Sequence, residues 1–204
     1  MYPTIQSFCD ALSGQFSEIS AERKALLTKI TAYIQAKINT GEAIQLAYIC
    51  THNSRRSHFG QVWAAVAAEY YGITQVSTFS GGTMATAFNP NAINSLVRTG
   101  FEVSSAGATE NPIYTVRFSE TGFTTCFSKV YDDEANPKAG FAAIMTCSDA
   151  EENCPFIPGV ELRIGTTYED PKAYDNTPLQ DAKYDERSRQ IALETLFVFS
   201  QLSK

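Results

Sequence analysis

The sequence lacks a long hydrophobic run and an excess of basic residues. No stretch approaches the about 20 apolar residues that cross a bilayer, so we expect no membrane segment. Its 16 Lys and Arg are outnumbered by 22 Asp and Glu, for a formal charge of −6, which argues against general nucleic-acid binding because the phosphate-neutralising field is missing. The first residues, MYPTIQSFCDALSG, lack the basic and apolar regions of a secretory signal, so export is not expected either.

The five cysteines indicate neither a disulfide scaffold nor a zinc site. An odd number in a chain of 204 residues is typical of a reducing cytoplasm in which thiols are kept for chemistry. No second Cys pair or His pair accompanies them, so neither a metal nor another cofactor is expected. The apolar content of 44% allows a sizeable core and excludes intrinsic disorder, collagen and coiled coil.

Short apolar runs alternate with segments of helical period, which predicts an α/β domain. The expected fold has three layers, with a central parallel sheet of four or more strands and helices on both faces. We predict a helical N-terminal extension over 1–42, a main domain over 43–204, and an inserted β-hairpin over 113–131. Strands are predicted at 43–49, 75–79, 141–146 and 162–164, and helices at 60–71, 90–99 and 180–202.

The segment CTHNSRRS, residues 50–57, follows one predicted strand and precedes a helix. A loop at this place turns several backbone N–H groups toward one point beside the positive end of the helix dipole, and so binds anions. Arg56 adds a fork that fits phosphate or arsenate, and the same field favours the nucleophilic thiolate of Cys50. Ser57, at the expected N-cap, can donate to that thiolate, and Asn53 tolerates a left-handed backbone. The alternative is a buried cysteine beside a surface arginine pair.

The predicted oxyanion contacts come from the whole loop: Thr51, His52, Asn53, Ser54, Arg55, Arg56 and Ser57. Both histidines of the chain, His52 and His58, flank it. Below about pH 6.5 they would add positive charge near the anion. Two exposed imidazoles without a role are an equally good interpretation.

Two further cysteines, Cys147 and Cys154, follow another predicted strand. In a helix their Cα atoms would lie roughly 10 Å apart, whereas a disulfide requires about 7 Å or less. They can therefore pair only if the segment unwinds, as a redox switch would, and the alternative is two inert thiols. Cys9 and Cys126 are interpreted as small apolar side chains.

Asp170, followed by a proline, lies in a polar loop before the last helix. A carboxylic acid over the anion loop could protonate a leaving oxygen, although Asp-Pro by itself indicates only a turn. Tyr168, Tyr174 and Tyr184 surround it in sequence and would either wall a cleft or pack in the core.

Together these segments resemble the low-molecular-weight protein tyrosine phosphatase superfamily, and within it the thioredoxin-coupled arsenate reductases. The resemblance covers roughly residues 44–204. Ordinary phosphatases are not expected to carry the Cys147 and Cys154 pair, which favours the reductases. The matching segments are CTHNSRRS with the family's C-T-G-N-S-C-R-S, Ser80-Gly81-Gly82 with S-A-G, Asn89-Pro90, TCSDAEENCP with the redox segment, and Asp170-Pro171 with the acid loop.

The resemblance implies a relay of three thiols. Cys50 attacks arsenate held by the loop and Arg56, and Asp170 protonates the departing oxygen. Cys147 then attacks the Cys50 adduct and releases arsenite, and Cys154 takes over the disulfide, which thioredoxin reduces. The implied role is arsenical resistance in the cytoplasm.

The chain departs from the family pattern at three positions. His52 replaces a glycine, Arg55 replaces a cysteine, and Gln61 stands where the reductases tend to have a glutamate that helps to hold potassium. Two alternatives to arsenate reduction stay open. One is a phosphatase that hydrolyses phosphomonoesters through a phosphocysteine, for which Cys50, Arg56 and Asp170 suffice. The other is an oxyanion-sensing or oxyanion-binding module without turnover.

Overall fold

The computed structural model describes residues 1–107, 109–153 and 156–203. Its helices and strands follow the predicted alternation closely. The helices are α1 Pro3–Ser13, α2 Ala21–Thr40, α3 Arg56–Tyr71, α4 Pro90–Thr99, α5 Ser148–Asn153 and α6 Gln180–Ser200, with 3-10 turns at Phe16–Glu18 and Pro171–Tyr174. The strands are β1 Ile44–Cys50, β2 Val76–Gly82, β3 Glu102–Ala106, β4 Ile113–Arg117, β5 Phe123–Cys126, β6 Phe141–Met145 and β7 Val160–Gly165.

Four strands form a parallel sheet in the order β2-β1-β6-β7, which confirms the predicted fold class. Cys50 at the end of β1 lies opposite Gly82 at the end of β2, and Ile49 lies opposite Met145 of β6. Because the carboxyl ends of parallel strands share one edge, the segments that follow Cys50, Gly82 and Met145 meet there.

The two faces of the sheet are buried under different elements. Leu46 and Tyr48 of β1 belong to the large core formed with α2, α3 and α6. Ala47 and Ile49 point to the other face, where they pack in a smaller cluster with Ala150 of the short helix α5. The side chains of β1 are therefore buried on both faces of the sheet, as its nearly continuous apolar sequence predicts.

The N-terminal extension packs on the main core. Ile5 and Cys9 of α1, and Ile30 and Ile34 of α2, are buried in the same cluster as Leu46. Since both helices bury their apolar side chains against the elements that follow them, they stabilise the fold by the transfer of that surface out of water. The boundary at residue 42 stays a prediction.

The inserted hairpin is confirmed, and it belongs to a larger unit. Strands β4 and β5 pair in antiparallel fashion, and β4 also pairs with β3, Glu102–Ala106. We did not predict β3 because its sequence, EVSSA, has only one large apolar residue and is mostly exposed. Its strand structure depends on the pairing with β4 and not on an apolar pattern of its own.

One helix boundary was predicted wrongly. Helix α3 begins at Arg56, not Gly60, and its N-cap is Arg55, not Ser57. Ser57 lies in the first turn, where its hydroxyl contacts side chains of the loop instead of capping the backbone. Among the described residues, no helix combines the length and apolar character that a bilayer crossing requires.

Candidate active site

The loop between β1 and α3 turns at Asn53. Its backbone has φ of 43°, the left-handed conformation that we expected there. Its side chain is completely buried: Nδ2 donates to Ser57 Oγ at 2.9 Å, and Oδ1 accepts from the backbone N–H of Lys129 at 2.9 Å. Asn53 therefore joins the end of the loop at Ser57 to a neighbouring segment of the chain at Lys129.

Cys50 is buried at the base of the loop, with Sγ 3.1 Å from Ser57 Oγ. Because Ser57 Oγ accepts from the Asn53 amide, its own hydrogen is available to the sulfur. A hydroxyl donor at this distance stabilises a thiolate, since hydrogen bonds to a charged form favour that form. The predicted nucleophile and its predicted donor are thus brought together.

The rest of the loop is held by contacts with two other segments, at residues 86–87 and at residue 128. Ser54 Oγ donates to the Ala87 carbonyl at 2.7 Å, and the His52 carbonyl accepts from the hydroxyls of Thr86 and Ser128 at 3.0 Å. These bonds fix the path of the backbone whose N–H groups we expect to bind an oxyanion.

Gly82 allows β2 to approach the loop very closely. A Cβ at this position would lie 2.7 Å from the backbone nitrogen of Asn53 and 2.8 Å from the carbonyl oxygen of Thr51. Both atoms belong to the main chain, so the contact cannot be relieved by turning a side chain. The glycine is therefore required for the loop to lie against the end of β2.

Arg55, Arg56 and Asp170 form an ion-pair cluster beside the loop. The Asp170 carboxylate accepts from Arg55 Nε at 2.8 Å and from Arg55 Nη2 at 3.2 Å. It also accepts from Arg56 Nη2 at 2.7 Å, while Arg56 Nη1 donates to the Tyr168 carbonyl at 2.8 Å. Arg56 Nε is buried and has no hydrogen-bond partner among the described residues.

The electrostatics of this cluster favour an ionised Asp170. Burial by itself would raise the pKa of the Asp170 carboxyl, but the charges and hydrogen bonds of Arg56 and Arg55 outweigh burial and hold that pKa below its usual value. The predicted acid is thus in the predicted place, and in this arrangement it is a carboxylate.

A network that the sequence did not reveal anchors the Asp170 loop to the N-terminal extension. Tyr168 OH donates to buried Glu194 of α6 at 2.7 Å, and Arg23 of α2 donates to the same carboxylate at 2.8 Å. Tyr184 is also buried and donates to Asp175. These two tyrosines pack in the core and do not wall a cleft. No local pattern indicates the network, because Arg23 and Glu194 are 171 residues apart.

Cys147 lies against the first residue of the candidate oxyanion loop. It is 1% exposed, and its Sγ is 3.4 Å from Thr51 Oγ1 and 3.4 Å from the backbone N–H of Ala150. Thr51 Oγ1 also donates to Asp149 at 2.6 Å, a partner that the sequence reasoning missed although it stands two residues after Cys147. Cys147 shares its buried cluster with Cys50. Cys154 lies outside the described residues.

Neither interpretation of His58 is correct, because the side chain is fully buried. It packs on Phe88, and its Nδ1 is 3.2 Å from Ser80 Oγ. Burial, aided by the charge of Lys129, lowers the pKa of His58 to about 3, so the ring is neutral and adds no charge to the loop. His52 is partly exposed, in the loop itself.

The departures from the family pattern have visible consequences. His52 is not among the residues with positive φ, so the loop does not need a glycine there. Gln61 is buried and donates to Thr124 Oγ1 and the Thr125 carbonyl, which joins α3 to β5. A neutral amide at this position does not supply the charge that a carboxylate would offer to a cation, so Gln61 does not fit a potassium ligand of that kind.

The two remaining described cysteines are inert, as expected. Cys9 and Cys126 are buried, and burial raises the pKa of each thiol to about 12. At neutral pH both are protonated apolar side chains.

The sequence relatives reported for this chain are arsenate reductases. No protein-family model matches the chain. An arsenate reductase of Bacillus subtilis (strain 168) is 24% identical over 157 residues, which covers 77% of this chain and 95% of the relative. An arsenate reductase of Brevibacillus brevis is 27% identical over 124 residues, covering 61% of this chain and 74% of the relative.

Solved structures share the fold. A low-molecular-weight protein tyrosine phosphatase from T. tengcongensis aligns with a TM-score of 0.54 at 12% identity, over 78% of this chain and 100% of the other. An arsenate reductase in the phosphate-binding state aligns with a TM-score of 0.53 at 16% identity, over 78% and 99% of the two chains. The parallel sheet with its cysteine loop is thus the fold of the low-molecular-weight phosphatases. In sequence the chain is similar to arsenate reductases, and in fold it is similar to both the arsenate reductases and the low-molecular-weight phosphatases.

Proposed function

We propose that the protein is an arsenate reductase that works through Cys50, Cys147 and Cys154. The position of Cys147 carries this proposal. Its sulfur contacts the side chain of Thr51, the residue next to Cys50, and the two cysteines share one buried cluster. A phosphatase would not need a second thiol beside the oxyanion loop.

The first step is the capture of arsenate by the loop. The backbone N–H groups of residues 51–57 and the guanidinium of Arg56 bind the oxyanion, and the orphaned Nε of Arg56 supports this role because a buried donor without a partner is costly. The Cys50 thiolate attacks arsenic, a sulfur–arsenic bond forms, and an arsenic–oxygen bond breaks. The sequence predicts that Asp170 protonates the departing oxygen, and this role stays a prediction.

The second step is the reduction of arsenic. The Cys147 thiolate attacks Cys50 Sγ, a disulfide forms, and the electron pair of the broken sulfur–arsenic bond remains on arsenic, which leaves as arsenite. The two thiols lose the two electrons that arsenic gains. The backbone N–H of Ala150 lies 3.4 Å from Cys147 Sγ and can donate to the sulfur when it attacks as a thiolate.

The third step regenerates the nucleophile. Cys154 attacks Cys147, which frees Cys50 and leaves a Cys147–Cys154 disulfide for an external dithiol. We propose a thioredoxin as that donor and a reducing cytoplasm as the compartment, since the relay consumes reducing equivalents at each turnover. Helix α5, Ser148–Asn153, lies between the two cysteines in sequence, and we propose that it unwinds for this exchange.

The test is arsenite production by the intact protein with a thioredoxin system. We expect Cys147→Ser to abolish arsenite formation and Cys154→Ser to abolish repeated turnover after the first arsenite is released, while both variants retain phenyl phosphate hydrolysis. Cys126→Ala, which removes a buried thiol outside the relay, is the matched control and should keep both reactions. Arsenate turnover that survives both serine substitutions would refute the relay.

Two other results would point to the alternatives. Hydrolysis of aryl phosphates without any arsenite production by the wild type would identify a phosphatase. Binding of phosphate or sulfate without turnover of arsenate or aryl phosphate would identify an oxyanion-binding module.

A further inference from the structure

The Asp170 carboxylate accepts a hydrogen bond at every position that its two oxygens offer. Oδ1 accepts from Arg55 Nε at 2.8 Å and from the backbone N–H of Lys172 at 3.1 Å. Oδ2 accepts from Arg55 Nη2 at 3.2 Å and from Arg56 Nη2 at 2.7 Å. An ionised carboxylate has about four acceptor sites, and here all four face N–H donors. A proton on either oxygen would meet a donor instead of an acceptor.

Arg55 makes half of these bonds, and it is one of the three residues at which the chain departs from the family pattern. The superfamily motif has a cysteine at this position, which could not form an ion pair of this kind. Arg55 is 8% exposed, and its guanidinium binds both oxygens of Asp170 in the parallel, two-bonded geometry that makes such pairs strong.

Arg55 and Arg56 have different roles once an anion is bound. Arg56 offers its unpartnered Nε and belongs to the oxyanion site, so it is expected to turn part of its guanidinium toward the anion. Both Arg55 bonds go to Asp170. Arg55 therefore continues to hold the carboxylate after Arg56 has engaged the substrate.

We propose that Arg55 is a specificity-determining residue that keeps Asp170 ionised, so that the site favours oxyanions which bring their own leaving proton over organic phosphomonoesters. This inference rests on the proposed function and narrows its substrate class. In it Asp170 acts as a positioning residue for the two arginines, not as the proton donor of the reaction.

The chemistry of the two substrate classes differs in the leaving oxygen. When a thiolate attacks the dihydrogen arsenate anion, a sulfur–arsenic bond forms and an arsenic–oxygen bond breaks. Both protons of the anion depart with that oxygen as water, and the total charge of −2 is conserved. The dianion of a phosphomonoester carries no proton, so its alcohol or phenol departs as an anion unless the enzyme supplies an acid.

The first experiment measures hydrolysis of aryl phosphates whose phenols differ in acidity. In the wild type we expect rates that fall steeply as the phenol becomes less acidic, with little change on Asp170→Asn. Arg55→Gln should free Asp170 to act as an acid and raise the rate for the poorest leaving group about tenfold or more, and Arg55→Gln with Asp170→Asn should lose that gain. Arg98→Gln, which removes an arginine paired with Asp185 elsewhere, is the control and should behave as the wild type.

A wild type that shows a shallow dependence on the phenol, together with a large loss on Asp170→Asn, would overturn the inference. The proposed function would survive that result if arsenite production still required Cys147. Conversely, the hydrolysis rates could depend steeply on the acidity of the phenol while arsenite production does not require Cys147. That result would refute the relay and support the inference about Arg55.

A second measurement does not depend on turnover. Carbon-13 NMR of labelled aspartate carboxyls, on wild-type protein saturated with inorganic phosphate, reports the ionisation of Asp170 directly. We expect a carboxylate throughout the range from about pH 5 to about pH 8, and an upward shift of the titration in Arg55→Gln. A neutral Asp170 near pH 7 in the phosphate-loaded wild type would refute the inference.

Discussion

The replacement of Asn53 by alanine tests whether this side chain holds the oxyanion loop together. Asn53 is completely buried, donates to Ser57 Oγ and accepts from the N–H of Lys129. Alanine leaves the Lys129 N–H unpaired in a buried place and removes the donor of Ser57, at a cost of about 1–3 kcal/mol for each group. Alanine lacks asparagine's tolerance of the left-handed region, which adds up to about 1–2 kcal/mol. We expect Asn53→Ala to lower the free energy of unfolding by about 3–8 kcal/mol.

Asn53→Gly separates the two contributions. Glycine loses the same hydrogen bonds, but it adopts φ of 43° without steric cost. It should therefore be more stable than Asn53→Ala by about 1 kcal/mol, and still less stable than the wild type.

Urea unfolding followed by circular dichroism measures both differences, and the rate at which iodoacetamide alkylates Cys50 reports the state of the loop. The Asn53 amide donates to Ser57 Oγ and so leaves the hydroxyl hydrogen of Ser57 free for Cys50. Because both variants lose this amide, Cys50 should be alkylated at a different rate in each of them than in the wild type. A loss below about 1 kcal/mol in Asn53→Ala, or equal stability of the two variants, would refute this account of the loop.

Two more predictions concern neighbours of the loop. Burial lowers the pKa of His58 to about 3, below the unfolded value of about 6.5, so its stabilising effect is complete above pH 6.5 and is lost as the pH falls toward 3. Between about pH 7 and pH 4.5 the wild type should lose about 2–3 kcal/mol more than His58→Gln in urea unfolding, and parallel losses would contradict this. Gly82→Ala should abolish the rise in melting temperature that phosphate gives the wild type, because its Cβ would displace the backbone of Thr51 and Asn53. Gly14→Ala, whose Cβ meets only an ordinary contact at 3.5 Å, is the control, and a phosphate response retained in Gly82→Ala would show that the loop tolerates the methyl group.

The sequence alone was sufficient to predict those features that depend on residues close together in the chain. Cys50 stands at the end of an apolar run, and Arg56 follows at a spacing that fits a strand, a loop and a helix, so the loop could be predicted before any contact was known. Asn53 was predicted to take the left-handed backbone because its side chain tolerates it, and it does. The hairpin of β4 and β5 was likewise predicted from its β-forming residues around a glycine turn.

The local signal failed where an element depends on its neighbours. The sequence of β3 has no apolar alternation, and the strand forms because β4 supplies the hydrogen bonds. His58 was expected either to add charge to the loop or to be exposed, yet helix α3 turns it into the core against Phe88.

The sequence by itself determined the chemistry-bearing groups: a cysteine at a strand end, an arginine at a helix start, and further cysteines after another strand. Only the tertiary structure decided which of these groups meet. Thr51 contacts Cys147 because β1 and β6 are adjacent in the sheet, and Arg55 binds Asp170 across 115 residues of chain. The hydrophobic periodicity of a segment indicates which of its faces is buried. The order of the strands and the ion pairs between loops depend instead on how all segments pack together.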